Sequence, residues 1–208
     1  MNVTSLLSRR GERPNFGRGL LMAGLGLVLG GSLFWVASSQ QAAAQNTAPG
    51  VPVLSTLMFT DSDGKPLDAA SVDRGQRLFR DRANCKYCHG WNGKGSLVEG
   101  EPPAPALTTT VLSKDDLVEV ISCGRIGKTM PTHLQEAWTP AHPCYGLTSK
   151  DIDAKDLPRK PFGTLNPDQI VDVSNYVLAA YRSKAMTWEI CASFFNNANS
   201  HECDQYKK

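Results

Sequence analysis

Apolar positions recur at helical spacing in three stretches of the chain. In the first, Val72, Gly75, Leu78 and Phe79 fall on one helical face. In the second, Ser113 supplies a hydroxyl cap, Asp116 follows three residues later, and Leu117, Val118, Val120 and Ile121 form an apolar stripe that stops at Gly124. The third opens with Asn166 as cap, Pro167 in the first turn and Gln169 completing a capping box, then repeats Ile170, Val173, Val177 and Ala180. Three helices are predicted, and the plainest use of their apolar stripes is core packing.

Two segments lack such a period. Residues 45–70 contain an apolar run from Val51 to Phe59 and a turn at Asp63-Gly64, and are expected to form an arm along the domain surface. Asp61-Ser62-Asp63-Gly64 opens like a calcium loop, but Lys65 follows and Val72 stands where a twelfth, acidic ligand belongs, so it is a turn. Residues 139–163 carry Pro140, Pro143, Pro158 and Pro161, a composition that predicts a long solvated loop.

The front of the chain has a different pattern. Arg9, Arg10, Arg13 and Arg18 precede an uncharged stretch from Gly19 to Ala37, and Ala42-Ala43-Ala44 offers a small-x-small cleavage site. This is the layout of a bacterial secretory signal over residues 1–44, which predicts export to the periplasm. A retained helix anchored in the inner membrane is the alternative, since this stretch can just span a bilayer. Its several glycines weaken such a helix, each by roughly 1 kcal/mol relative to alanine, and favour cleavage. Arg9-Arg10 resembles a twin-arginine signal, but Gly11-Glu12-Arg13-Pro14 lacks the hydrophobic follow-on, which favours the general secretory route.

Composition excludes several classes. The 208 residues are 41% hydrophobic and 20% charged, which fits one ordinary globular domain. Residues 1–44 hold four basic residues and one acid, so 18 basic and 19 acidic residues remain beyond them, a net charge of −1. A groove that tracks phosphates needs a positive surplus, so nucleic-acid binding is excluded.

Six cysteines follow the signal, and two differ from the rest. Cys85-Lys86-Tyr87-Cys88-His89 is a C-x-x-C-H run, whose two thiols lie on one short turn and can add to the two vinyl groups of haem, with the adjacent imidazole facing the iron. Half of a structural zinc site and a thioredoxin-like dithiol are the alternatives. The first lacks a second C-x-x-C, and the second would place the pair after a strand rather than after a helical pattern.

On these residues the chain resembles the class I cytochromes c, from about Asp73 to Arg182. The resemblance implies an all-α domain around one covalent haem c, spanning residues 71–185, with the N-terminal arm before it and a C-terminal tail, 186–208, after it. Asp73 to Phe79 looks like the first helix of that family. Gly75 would then be the close-approach point for the last helix, with Tyr176 and Tyr181 packing nearby. Pro105-Ala106-Leu107 looks like the family's Pro-x-Leu segment, whose proline carbonyl accepts a hydrogen bond from the axial histidine and orients it. Pro102 and Pro103 compete for that role.

Gly127-Lys128-Thr129-Met130-Pro131 resembles the family's loop on the far side of the haem, which makes His89 and Met130 the implied axial ligands. A soft, neutral thioether favours ferrous iron and raises the potential. His133 and His142 are rivals for the sixth position; otherwise His133 is an exposed loop residue. Arg125 is a candidate partner for a haem propionate, or a plain surface arginine. Trp91 and Trp138 are expected to fill core rather than line the haem edge. Lys86 and Lys94 lie near the motif and could steer an acidic partner.

The remaining four cysteines allow three pairings. Their spacing favours Cys123 with Cys144, a ring of about 20 residues around Met130 worth roughly 3 kcal/mol of unfolded-state entropy. Cys191 would then pair with Cys203 and pin the aromatic tail of Trp188, Phe194 and Phe195 to the domain.

The implied function is a monohaem electron carrier between periplasmic redox partners, a dehydrogenase or a terminal oxidase, and not an enzyme. Two alternatives stand beside it. One is a haem protein with a labile or open sixth site that binds gases or acts as a weak peroxidase. The other is an acceptor dedicated to a periplasmic quinoprotein dehydrogenase, a likeness carried by Met58 to Leu67 together with the haem motif.

Overall fold

The computed structural model describes residues 47–95 and 104–208. The predicted signal, residues 1–44, lies outside the described residues, as do Pro102 and Pro103. Among the described residues no helix is long and apolar enough to cross a membrane.

Three helices occupy the predicted stretches. Helix α1, Ala69–Arg77, is capped by Asp68, whose carboxylate accepts from the Ala70 amide, and it runs on into a π-helical turn, Leu78–Arg82. A four-residue helix, α2, Lys86–His89, follows. Helix α3, Lys114–Cys123, starts at the Ser113 and Asp116 capping box and ends at Gly124. Helix α4, Pro167–Ala180, starts at the Asn166 and Gln169 box. In both boxes side chain and backbone satisfy each other's open groups, so each helix begins where its cap stands.

The crossing of α1 and α4 organises the core. A Cβ on Gly75 would lie 2.0 Å from the Asp172 carbonyl oxygen and 2.9 Å from Tyr176 Cβ, so only glycine lets the two backbones come this close. Beside it Phe79 packs against the rings of Tyr176 and Tyr181, each at 5.5 Å between centroids. The two tyrosine hydroxyls are 3.0 Å apart, and Tyr181 donates to the Trp91 carbonyl at 2.7 Å. The crossing also holds a polar seam: Asp172, on α4, is gripped by the Arg74 guanidinium at 2.8 and 2.9 Å and by the Ser71 hydroxyl at 2.5 Å. A half-buried bidentate pair of this kind fixes the register of the helices.

The domain is not wholly α-helical. Strands β1, Phe59–Thr60, and β2, Pro66–Leu67, form a small antiparallel hairpin around the Asp61 to Gly64 turn. Asp61 holds that turn by accepting from the Asp63 and Lys65 amides at 2.9 and 2.8 Å. Nor is the 45–70 segment a surface arm throughout. Val51 and Leu54 are buried in the domain, and α1 already begins at Ala69.

The C-terminal segment is also structured rather than a tail. Helix α5, Trp188–Phe195, buries Ile190, Ala192 and Phe194, and a 3-10 helix, His201–Tyr206, follows. A disulfide joins Cys191 to Cys203 between them. Trp91 packs edge-on against Phe195, with ring centroids 5.0 Å apart, and lies near Phe194 and Tyr206. Trp91 is thereby part of the seam that attaches this segment to the domain.

Candidate haem site

Cysteines three apart lie on one face of a helical turn, and Cys85 and Cys88 meet that condition at the start of α2. The Cys88 and His89 amides donate to the Cys85 carbonyl at 3.3 and 2.9 Å, and the Tyr87 amide donates to Asn84 at 3.0 Å. The turn stops at Gly90, which takes a φ of 71°. Neither thiol belongs to a disulfide, whereas the other four cysteines are paired. Burial pushes the Cys85 thiol up to about 12, so near neutral pH it is a thiol rather than a thiolate.

The imidazole beside them is oriented. His89 Nδ1 lies 3.1 Å from the Pro105 carbonyl oxygen. A carbonyl only accepts, so Nδ1 carries the proton and Nε2 keeps its lone pair. Burial lowers the His89 pKa, the Pro105 bond opposes that, and the positive fields of Arg125 and His133 add to the lowering. His89 is therefore a neutral imidazole with one donor nitrogen committed and the other available to a metal. Gly95 keeps this segment tight, since a Cβ there would lie 2.6 Å from the Ala104 carbonyl oxygen.

Met130 is half-buried and packs against the main core, while Met58 is almost fully exposed. The loop before it leaves α3 through Gly124, at a φ of 70°, where a Cβ would meet the Met130 carbonyl oxygen and the Pro131 backbone at 2.7 Å. Gly124 is thus required twice, for its left-handed conformation and for the closeness of the chain that returns over it. The Arg125 amide closes the loop by donating to the Met130 carbonyl at 3.3 Å. Arg125 itself is exposed.

His133 is not an exposed loop residue. It is buried at 3% exposure, its Nδ1–H donates to the Gly163 carbonyl at 3.2 Å, and burial lowers its pKa. Its backbone is held too, by amide donation to Ile121 and Ser122 and by the Leu165 amide. No hydrophobic pattern marks a single buried polar residue, so this position left no trace in the sequence. His142 is exposed.

Cys123 and Cys144 form the second disulfide, with both residues buried. Trp138 packs on it in a small separate cluster with Ala137, Ile152 and Leu157, and donates its indole N–H to the Cys123 carbonyl at 2.9 Å. The 139–163 segment is solvated over most of its length, yet it carries this cluster and is anchored to the rest of the chain.

Among the described residues no group of three or more His, Cys, Asp or Glu side chains is assembled to hold a metal, so the zinc alternative lacks a ligand set there. The donor set that is present, two thiols outside the disulfides and an oriented neutral imidazole, fits a covalently held haem. The cytochrome c family model matches residues 72–180, more than half of the chain. The chain belongs to the cytochrome c family. As a cytochrome c it is a haem-based electron-transfer protein that binds its haem covalently, and members of the family act as electron carriers. The matched region opens at Val72, inside α1, and closes at Ala180, the last residue of α4. Helix α5 and the Cys191–Cys203 disulfide lie beyond it. No curated protein and no solved structure matches the chain.

Proposed function

We propose that this cytochrome c is an exported electron carrier with one haem, tethered by Cys85 and Cys88 and axially ligated by His89 and Met130. The observation that carries the reading is the His89 hydrogen bond to Pro105, which leaves Nε2 as the imidazole's donor atom beside the two thiols. Bound there, haem supplies a one-electron ferric/ferrous couple. The chain's own residues set the conditions for it. The Pro105 carbonyl fixes the imidazole tautomer and makes it a stronger donor, while Met130 supplies a neutral thioether that favours the reduced state. The exposed Arg125 lies close enough for its charge to act on His89, which supports a role as partner of a propionate.

Partners are redox proteins, a dehydrogenase or a terminal oxidase. Exposed Lys86 lies within the haem motif and Lys94 five residues after it, and a groove beside α2 is lined by Lys86, Tyr87, Trp91, Phe194 and Phe195. The signal-like residues 1–44 support periplasmic location, with the inner membrane involved only if that segment is kept as an anchor. Intact mass of the exported protein decides between the two.

Met130→Ala tests the ligand set. The ferric wild type should show the long-wavelength sulfur-to-iron band, and the variant should lose it and bind carbon monoxide when reduced. A wild type without the band that binds carbon monoxide as readily as the variant would instead support a labile or open sixth site.

A further inference from the structure

The 139–163 segment runs beside the loop that carries Met130 and touches it at successive points, in the same order along both. Cys144 is bonded to Cys123, and the neighbouring Tyr145 hydroxyl donates to the Gly124 carbonyl at 2.6 Å. Next, the Gly127 amide donates to Asp156 at 2.8 Å. Arg159 then binds twice: its Nε donates to the Thr129 carbonyl at 3.1 Å, and its own carbonyl accepts from the Thr132 amide at 3.2 Å. Last, Gly163 accepts from the His133 ring, just before the bridge between Leu134 and Leu165. From 123 to 134 the loop is therefore held by the later segment at Cys123, Gly124, Gly127, Thr129, Thr132, His133 and Leu134.

This arrangement costs ordering of a long, mostly solvated stretch, which packing of the main core does not need. It also touches α3 through the Tyr145 amide on Glu119 and α2 through Phe162 on Tyr87, but the bonds in register fall on the loop around Met130. The disulfide at its start is buried on both sides, so it is a permanent fastening shielded from thiol exchange.

We propose that residues 139–163 form a sheath that holds the Met130 loop shut, with Tyr145 and Arg159 as positioning residues that keep external ligands from the sixth iron position. The proposal rests on the reading of Met130 as ligand. An iron–thioether bond is weak, so the rate at which an outside ligand enters is set by how often the loop opens. Tyr145 and Arg159 each fasten a loop carbonyl, and each bond slows that opening by a factor of roughly two to ten.

The test uses ferric holoprotein mixed with imidazole, with loss of the long-wavelength band followed by stopped flow. Tyr145→Phe combined with Arg159→Met removes both side-chain donors while keeping the ring and most of the aliphatic stem, and should speed imidazole entry roughly tenfold. Amide hydrogen exchange on the same proteins reads opening without reference to the iron. The Gly127 and Thr132 amides should lose protection while those of α1 and α4 keep theirs. Entry at the wild-type rate, or a uniform loss of protection across the domain, overturns the sheath. A wild type that lacks the band overturns the ligand reading and the sheath with it. If the double variant does not accumulate, Tyr145→Phe alone, which deletes one oxygen, should give a rise of roughly threefold.

Discussion

Two histidines in this domain are oriented by the same device, a backbone carbonyl facing Nδ1. His89 and His133 each commit Nδ1–H to a backbone oxygen, of Pro105 and Gly163, and burial lowers the pKa of both. On the proposed ligation His89 is taken up by the iron, which leaves His133 as the buried histidine that couples folding to pH near neutrality. Its folded-state pKa lies below the ordinary value of 6.5, so the unfolded chain binds more protons below that value. Stability from this group is complete above pH 6.5 and is lost as the pH falls toward the folded-state pKa, with a slope of at most about 1.4 kcal/mol per pH unit. Urea unfolding across that range should show the fall. His133→Asn, whose amide can donate without titrating, should flatten it, and an unchanged slope would mean that another group is responsible. Residues of this kind are the least legible in a sequence. The C-x-x-C-H run announces its chemistry because three reactive side chains stand at fixed spacing, whereas the burial of His133 depends on Gly163, 30 residues away.

At the scale of elements, the helices were legible wherever a local rule closes on itself. Ser113 with Asp116 and Asn166 with Gln169 each satisfy two backbone groups within four residues, so their helices start where the caps predict. The hairpin of β1 and β2 was missed because two-residue strands are too short to show alternation. Helix α5 does not show in the sequence, because Trp188 to Phe195 is nearly continuous in apolar and cysteine residues and has no clean helical stripe. The ladder between 123–134 and 139–163 is built from contacts without local period, so only the pairing of Cys123 with Cys144 hinted at it. Gly75, by contrast, makes a prediction that one substitution can check. Gly75→Ala drives a Cβ into the Asp172 backbone, forces α1 and α4 apart, and should cost about 1–3 kcal/mol, read as a lower urea midpoint. A variant as stable as the wild type would show that the crossing can relax and does not fix the core.

At the scale of the whole molecule, the family match covers the core and the Met130 side, and the chain continues past it into α5. The haem motif, α2 to α4 and α1 from Val72 onward lie within the cytochrome c match, as do the Met130 loop and residues 139–163. The sheath and α5 are each fastened by a disulfide, one on the Met130 side and one beside Trp91, near the haem motif. Both segments restrain the chain beside the haem motif or the Met130 loop, which suits a carrier that must change charge without changing shape. Everything depends on the two thioethers. The most direct measurement is the alkaline pyridine spectrum of the purified protein after extraction with acidified acetone, quantified against protein concentration. The account predicts a c-type spectrum at one haem per chain that survives extraction. A colourless protein, or a pigment that leaves with the solvent, would contradict it.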